Sequence, residues 1–481
     1  MTAHPDGLVV GVDAGTTALK VLVVDAATGR PVADAVREYP TRSPEPGAHE
    51  QDPADWWEAA VAALRSALDG LDASAVRAVG MSGHMHSLLL IGADDEPVAP
   101  AMTWADRRVA EQTRRLGGDP AFRRHTGNDV VDAFTAPKLA WFAERHPDAL
   151  ARARRLVLAK DYLRFRLTGR WATDRTDAAG TLLYDVTTRE WRRELWETVG
   201  ADPALAPEVL RPEEMAGAIT TAAAAATGLV MGTPVIAGAG DVPAVVLGSG
   251  VVASDQISVN VGTAAQIMGL SPLPDPGAGF VFLSATGESF VTMASLYAAG
   301  ASIRWAERTL LAGSPIGDAV IQAPAGSAGL TYLPFMFGST VPIKNDRARA
   351  AFIGQEERHG SAHLARAVLE GVAFACADAV KAVVDVVGTP RELRIVGGVT
   401  RSAEWCRTFA AAVGPEVDVV RVEGGSARGA VALAAVGAGL WTLGDVSAAA
   451  EPPIRPADDV EAAEIVAAYA RYREACDRLL R

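Results

Sequence analysis

Carboxylate, hydroxyl and glycine come together in the run Gly11-Val12-Asp13-Ala14-Gly15-Thr16-Thr17. Gly15 lets the backbone approach a bulky anion, and Thr16 and Thr17 offer hydroxyls and amides that can donate to phosphate oxygens. Asp13 can hold a hydrated divalent cation beside them, and Lys20 adds positive charge for the same phosphate. A plain hairpin uses glycine and threonine too, so the rest of the chain must decide. Asp241, which follows Gly238-Ala239-Gly240, reads either as a helix N-cap or as a general base that takes a proton from an attacking hydroxyl. Gly262-Thr263 repeats the glycine-threonine turn. Met85 and His86 suit the wall of a polar pocket, since a neutral imidazole both donates and accepts. Trp104 could stack on C–H groups there and Asp106 accept hydroxyl protons, although a buried aromatic followed by a helix cap looks the same. His84 and His86 lack the further His or Cys cluster that a zinc site requires.

These residues need strands and turns to carry them. Residues 9–24 place two apolar, β-branched runs around the first turn, which predicts strand, tight turn and returning strand. A third strand over 31–39, a helix from Pro53 through 71 and a strand over 76–81 follow. Pro53 suits a helix start, and Trp56, Trp57, Ala60, Ala63 and Leu64 recur at helical spacing. That order resembles the actin-like, ribonuclease-H-like nucleotide-binding unit. Residues 174–181, polar between apolar neighbours, read as a loop. A second unit begins with a strand over 234–239, and residues 257–270 echo the opening hairpin. Aligning Gly262-Thr263 with Gly15-Thr16 sets Asn260 opposite Asp13, so the chain reads as a diverged duplication with a cleft between two lobes. Helices are expected over 298–311, 359–388, 403–413 and 427–438. Gly397-Gly398 and Gly424-Gly425 lie at strand-to-helix turns, whose free amides can seat part of a nucleotide.

Composition bounds the reading. The chain has 481 residues, 49% apolar and 21% charged, enough for several domains with a large core. A net charge of -13 excludes a broad nucleic-acid footprint. Three scattered cysteines form no metal spacing, the N-terminus has no secretory pattern, and no apolar run spans a membrane, so a cytoplasmic location without membrane partner is expected. There is no G-x-x-x-x-G-K-[ST] loop, G-x-S-x-G elbow or H-E-x-x-H, which argues against P-loop enzymes, the usual α/β hydrolases and zinc proteases.

Taken in order, GVDAGTTALK at 11–20, EQDPADWW at 50–57, MHS at 85–87, TWADRR at 103–108 and FTAPKLAW at 134–141 resemble the FGGY family of carbohydrate kinases, above all its xylulokinase branch. The resemblance continues through KDYLRFRLTG at 160–169, DAAGT at 177–181, GAGD at 238–241, NVGTA at 260–264, residues 351–371 and IVGGVTRS at 395–402. It implies an α/β fold of two ribonuclease-H-like (actin-like ATPase) domains with an interdomain cleft. Residues 1–243 would form the sugar and metal side, 244–481 the adenosine side. Asp241 would be the catalytic base and Asp13 the metal-side carboxylate. Thr16, Thr17, Lys20, Gly262 and Thr263 would bind phosphates, Gly397, Gly398 and Ala427 would lie near adenosine, and Met85, His86, Trp104 and Asp106 would face the sugar. ATP and Mg2+ are the implied cofactors, and a small-molecule sugar the implied partner. Family members are often dimers, although no heptad or interface stripe marks a homodimer here.

Departures leave the sugar open. Gly338-Ser339-Thr340-Val341-Pro342 replaces a G-E-R-T-P-like stretch, and Val242-Pro243 replaces asparagine-alanine after the base. Met85-His86-Ser87 and Thr103-Trp104-Ala105-Asp106 resemble the gluconokinase branch, whereas FTAPKL, DAAGT and GAGD favour xylulokinase. D-Xylulose is the leading acceptor. Gluconate, ribulose or pentitol kinases, and a non-catalytic actin-like ATP-binding sensor, are the alternatives.

Overall fold

The opening turn closes where expected, with the Gly15 N–H donating to Ala18 O at 3.1 Å and the Tyr39 hydroxyl donating to Gly15 O. The computed structural model describes residues 7–341, 343–447 and 451–480. The opening residues 1–6 and Pro342 of the 338–342 stretch lie outside the described residues. Strand β1 (Leu8–Ala14) pairs antiparallel with β2 (Ala18–Asp25), which pairs with β3 (Pro31–Glu38). Helix α1 (Pro53–Leu68) starts at Asp52, whose side chain accepts from the Ala54 N–H, and buries Trp56, Ala60, Ala63 and Leu64. The spacing seen in the sequence thus marks its buried face.

Strand β4 (Val76–Gly83) runs parallel to β1 on the side away from β2. Beyond it the chain builds α2 (Thr135–Arg145), α3 (Ala159–Thr168), α4 (Arg175–Ala179), β5 (Met215–Ala218), β6 (Pro234–Ile236) and β7 (Ala239–Gly240). The sheet order is β5-β6-β4-β1-β2-β3, with β7 also pairing parallel to β4. The expected single strand over 234–239 is broken at Gly238, which has φ +84° and whose missing Cβ would fall 2.0 Å from Met81 O. Residues 174–181 are also not a loop, since every residue of α4 is buried.

Helix α5 (Asp241–Gly248) leads to the second unit. Strands β8 (Gln256–Val261) and β9 (Ala265–Ser271) form an antiparallel hairpin, followed by β10 (Phe290–Leu296) and α6 (Gly300–Leu310). The long apolar stretch becomes α7 (Ser361–Val387), and β11 (Glu392–Val396) lies parallel to β8 as β4 lies to β1. After α8 (Ala403–Val413) comes β12 (Asp418–Arg421), giving a six-stranded sheet that runs from the edge strand Phe280–Leu283 through β10-β9-β8-β11-β12. Each unit therefore has a hairpin flanked by a parallel strand, as the duplication predicts. Trp405, Phe409 and Tyr472 are fully buried in the second core, Trp56 in the first.

Helix α9 (Ser426–Gly437) returns to the first unit and crosses β1 and β4 at glycines. A Cβ on Gly11 would fall 2.3 Å from Ala427 O, and one on Gly80 would fall 1.9 Å from Ala430 O. Where α9 meets α5, a Cβ on Gly429 would fall 1.9 Å from Ala244 O. One compact unit thus comprises the chain through Gly248 with Val281–Phe290 and Gly425–Val446. The other comprises Ser249–Phe280, Val291–Gly424 and the described residues from Ser447 onward. The division is discontinuous in sequence, where a single cut at 243/244 was the expectation. Among the described residues no helix is long and apolar enough to cross a membrane.

Gly80→Ala forces a methyl into a backbone carbonyl and is expected to destabilise the protein by about 3 kcal/mol or more. Gly317→Ala, at a position with nothing within 4 Å, is the control and should leave the urea midpoint nearly unchanged.

Candidate functional site

Asp13 and Asp241 reach the same edge of the first sheet by different routes. Asp13 is the register partner of Ser82 on β4, and Ala239 pairs with that same Ser82 from the other side. Both carboxylates therefore emerge at the carboxyl ends of parallel strands, where α/β sheets bind their ligands. Asp13 Oδ2 accepts from Ser426 Oγ at 2.5 Å, while the buried Oδ1 makes no hydrogen bond. Burial pushes the Asp13 carboxyl up, against the pull of the Ser426 hydroxyl, the Lys20 ammonium and the Ser82 hydroxyl. Asp241 Oδ1 accepts from the Val242 N–H at 2.9 Å. Burial first, and repulsion from Asp13 second, push the Asp241 carboxyl up to about 7, although the Val242 and Met85 amides favour its charged form. An unpartnered buried carboxylate oxygen near a second carboxylate is a donor set that fits a hard divalent cation.

Met85 and His86 follow β4 and pack against the same edge. His86 holds φ +70°, a conformation a non-glycine residue adopts at a cost and one that often accompanies a functional site. Its Nδ1 lies 2.7 Å from Gly180 O and so carries the proton, which leaves Nε2 as an acceptor. Burial drives the imidazole down to about 3, so it stays neutral at physiological pH. The ring stands edge-on to Phe134 at 4.7 Å and tilted to Phe282 at 5.8 Å. Those aromatic walls were not singled out in the sequence, and FTAPKLAW was the available signal for Phe134. His84 turns elsewhere, its Nδ1 2.8 Å from Ser87 Oγ and its ring edge-on to Trp56, so the two histidines do not form a pair.

The remaining first-unit candidates divide. Trp104 is partly exposed and donates its indole N–H to Thr16 Oγ1 at 2.8 Å, tying the aromatic to the opening turn. Thr17 and Lys20 are exposed. Asp106 is fully buried, and its oxygens receive the His49 and Arg108 amides and the Arg108 guanidinium at 2.7–3.2 Å. Arg108 also reaches Glu45 and Glu50, so Asp106 anchors an ion-pair network and presents no free acceptor to a ligand.

Sequence reading missed a buried ionic cluster behind these residues. Lys160 Nζ lies 2.6 Å from Asp161 Oδ1, 2.6 Å from Asp174 Oδ2 and 3.0 Å from Asp177 Oδ2, all four side chains being fully buried. Among the described residues the three carboxylates are the one set with metal-like spacing, and the Lys160 ammonium occupies it. Arg164 joins through Asp161 Oδ1 at 3.1 Å. The legible signal was Lys160, Asp161 and Arg164 recurring on one helix with Leu163 and Leu167.

In the second unit Gly262 and Thr263 cap the β8-β9 hairpin. Their carbonyls accept from the Gly300 and Ala301 amides, both at 3.0 Å, and the Arg304 guanidinium donates to Thr263 Oγ1 at 2.9 Å. Gly262, Thr263, Arg304, Gly398, Ser402 and Glu404 line a cavity of about 870 Å³. Gly397 holds φ +98°, and its missing Cβ would fall 2.4 Å from Val261 O, so glycine is needed to turn Gly398 toward that cavity. Ala427 is not among the residues that line this cavity. It sits in α9 with its carbonyl against Gly11 in the first unit, because a chain of small residues lets α9 lie directly on β1.

Comparison with known proteins identifies the family. Residues 8–248 match the N-terminal domain, and 257–438 the C-terminal domain, of the FGGY family of carbohydrate kinases. The xylulose kinase of Escherichia coli (strain K12) is 33% identical over 437 residues, covering 89% of this chain and 90% of that protein. The crystal structure of a xyloylose kinase from Brucella ovis superposes with a TM-score of 0.88 at 31% identity, covering 98% of this chain and 99% of that one. The crystal structure of a gluconate kinase from Lactobacillus acidophilus superposes with a TM-score of 0.89 at 27% identity, covering 98% of both chains. The chain has two ribonuclease-H-like domains and belongs to the FGGY family of carbohydrate kinases, phosphotransferases with an alcohol group as acceptor.

Proposed function

We propose that the protein transfers the γ-phosphoryl of ATP to a terminal hydroxyl of D-xylulose, giving D-xylulose 5-phosphate and ADP. The observation that supports this reading most is the pair Asp13 and Asp241 on one sheet edge, with Asp241 pushed to about 7. A carboxylate of that basicity accepts a hydroxyl proton at neutral pH as the oxygen attacks phosphorus, the proton passing to Asp241 and the electron pair to the leaving ADP oxygen. Asp13, with its unpaired Oδ1, is the residue that would hold Mg2+. When bound, that ion supplies positive charge against the phosphate oxygens. His86 Nε2 accepts from a sugar hydroxyl, while Met85, Phe134 and Trp104 offer apolar faces to C–H groups. Thr16, Thr17, Lys20, Gly262 and Thr263 serve the phosphates, and Gly397 and Gly398 the adenosine. Asp106 acts behind this set by holding Arg108.

An uncharged acceptor suits the site better than an aldonate. Lys138, whose charge acts on His86, gives its three ammonium hydrogens to the carbonyls of Asp132, Ala133 and Phe134 at 2.6–2.9 Å. Lys160 and Arg108 are likewise held by carboxylates. Lys138 and Lys160 have no donor left for a substrate carboxylate, and Arg108 keeps a single uncommitted N–H. The likeness to a gluconate kinase keeps that acid as the comparison substrate.

Asp241→Asn is expected to lower sugar-dependent ADP formation by about 100-fold or more while leaving nucleotide binding intact. The base works ionised, so kcat/KM should rise with pH and level off above a midpoint at or below about 7, a cation on Asp13 offsetting part of the repulsion. A coupled assay across ketopentoses, pentitols and aldonates should single out D-xylulose, with gluconate at background. Preferential turnover of gluconate would reverse the substrate assignment.

A further inference from the structure

The segments 160–169 and 174–181 enter the chemistry above only through Gly180 O, which holds His86, yet they also grip the strand that delivers Asp241. Arg164 NH1 donates to Ala237 O at 2.9 Å, and Thr176 Oγ1 accepts from the Gly240 N–H at 2.9 Å. Both bonds are fully buried. Thr176 gives its own hydroxyl proton to Asp174 Oδ1 at 2.5 Å, and the Thr176 amide donates to that oxygen at 2.7 Å. The hydroxyl can turn only so far, since its proton is committed to Asp174 and its lone pair meets Gly240. Asp174 is in turn held by Lys160 Nζ at 2.6 Å.

Gly240 is confined on its other side as well. A Cβ there would fall 2.5 Å from Met85 Cγ and 3.0 Å from Asp177 Oδ1. The residue before Asp241 is therefore bonded at its amide and enclosed at its α-carbon, and Asp241 is the next residue in the chain. Buried ion pairs add little net stability against an apolar core of the same shape, because desolvation offsets their attraction. What they supply here is fixed direction.

We propose that Thr176, locked by Asp174 and Lys160, is a positioning residue that sets where the Asp241 carboxylate stands toward the acceptor hydroxyl. The proposal rests on Asp241 being the base. A shift of the base by a fraction of its hydrogen-bond reach weakens proton transfer without touching nucleotide contacts, so the effect falls on kcat and leaves KM for ATP alone.

The test is steady-state kinetics on the full chain with Thr176→Val, Thr176→Ser and Asp241→Asn, each first checked by thermal melting and near-ultraviolet circular dichroism. Valine keeps the shape and loses the acceptor, so kcat should fall by about ten- to a hundredfold with KM for ATP unchanged. Serine keeps the hydroxyl and should restore most of kcat. Should Thr176→Val not fold, Thr176→Ala removes the hydroxyl without placing a second methyl beside Asp174 and is read the same way. Wild-type kcat in Thr176→Val, or a serine variant as slow as valine, overturns the positioning role while an inactive Asp241→Asn keeps the base. Full turnover by Asp241→Asn overturns the base and the proposal with it.

Discussion

Two carboxylates that repel each other are held on one sheet edge, and much of the first unit exists to hold them there. In water Asp13 and Asp241 would separate or protonate. In the fold they cannot separate, because β1 and β7 are both hydrogen-bonded to β4. Burial and mutual repulsion then fall on Asp241, which has amide donors but no hydroxyl or cation of its own among the groups that act on it. Asp13 has Ser426 and Lys20. On the proposed reading, the asymmetry would divide the pair into a ligand for positive charge and a base near neutrality.

That asymmetry depends on atoms that are absent. Ser426 reaches Asp13 only because α9 lies within backbone contact of the sheet, and the contact is possible because residues 11 and 80 are glycines. The same helix clears α5 at Gly429. Side-chain packing would set this helix back by a layer of methyl groups, and the serine hydroxyl would fall short. Glycines usually weaken strands and helices. Here the loss is accepted in exchange for placing one hydroxyl.

What could be read from the sequence is what is local. The turn at 15–17, the helix beginning at Pro53 and α8 over 403–413 rest on contacts among near neighbours, so residue type and spacing announce them. The duplication was visible because Gly262-Thr263 sits between strands as Gly15-Thr16 does. The buried cluster was not, because Lys160, Asp174 and Asp177 become apolar in effect only once they meet. Residues 174–181 looked like a solvated loop for the same reason, when in fact the Lys160 ammonium lets three aspartates enter the core. Burial pushes Asp177 well above the usual carboxylate range, against the pull of the Lys160 ammonium. Asp106 failed in the opposite sense. Its sequence neighbour Arg108 turns back onto it, and a carboxylate that looked available is already bound. Ala427 shows a third limit, since nothing in the chain's order says that a helix following the second sheet will pack on the first.

The two hairpins have diverged in charge as well as sequence. In the first, Asp13 makes the turn anionic. In the second, Asn260 stands at the corresponding place, and its amide donates to Gln266 at 3.2 Å, a neutral pair that needs no cation. Arg304 then comes up to Thr263 and into the cavity beside Gly398 and Ser402. A carboxylate at residue 260 would oppose an anionic ligand there, and an arginine at residue 13 would abolish a cation site. On the proposed reading, Asp13 would give the first turn a place for a cation beside the phosphates, and Arg304 would give the second a positive charge toward an anionic ligand, both on the same glycine-threonine backbone.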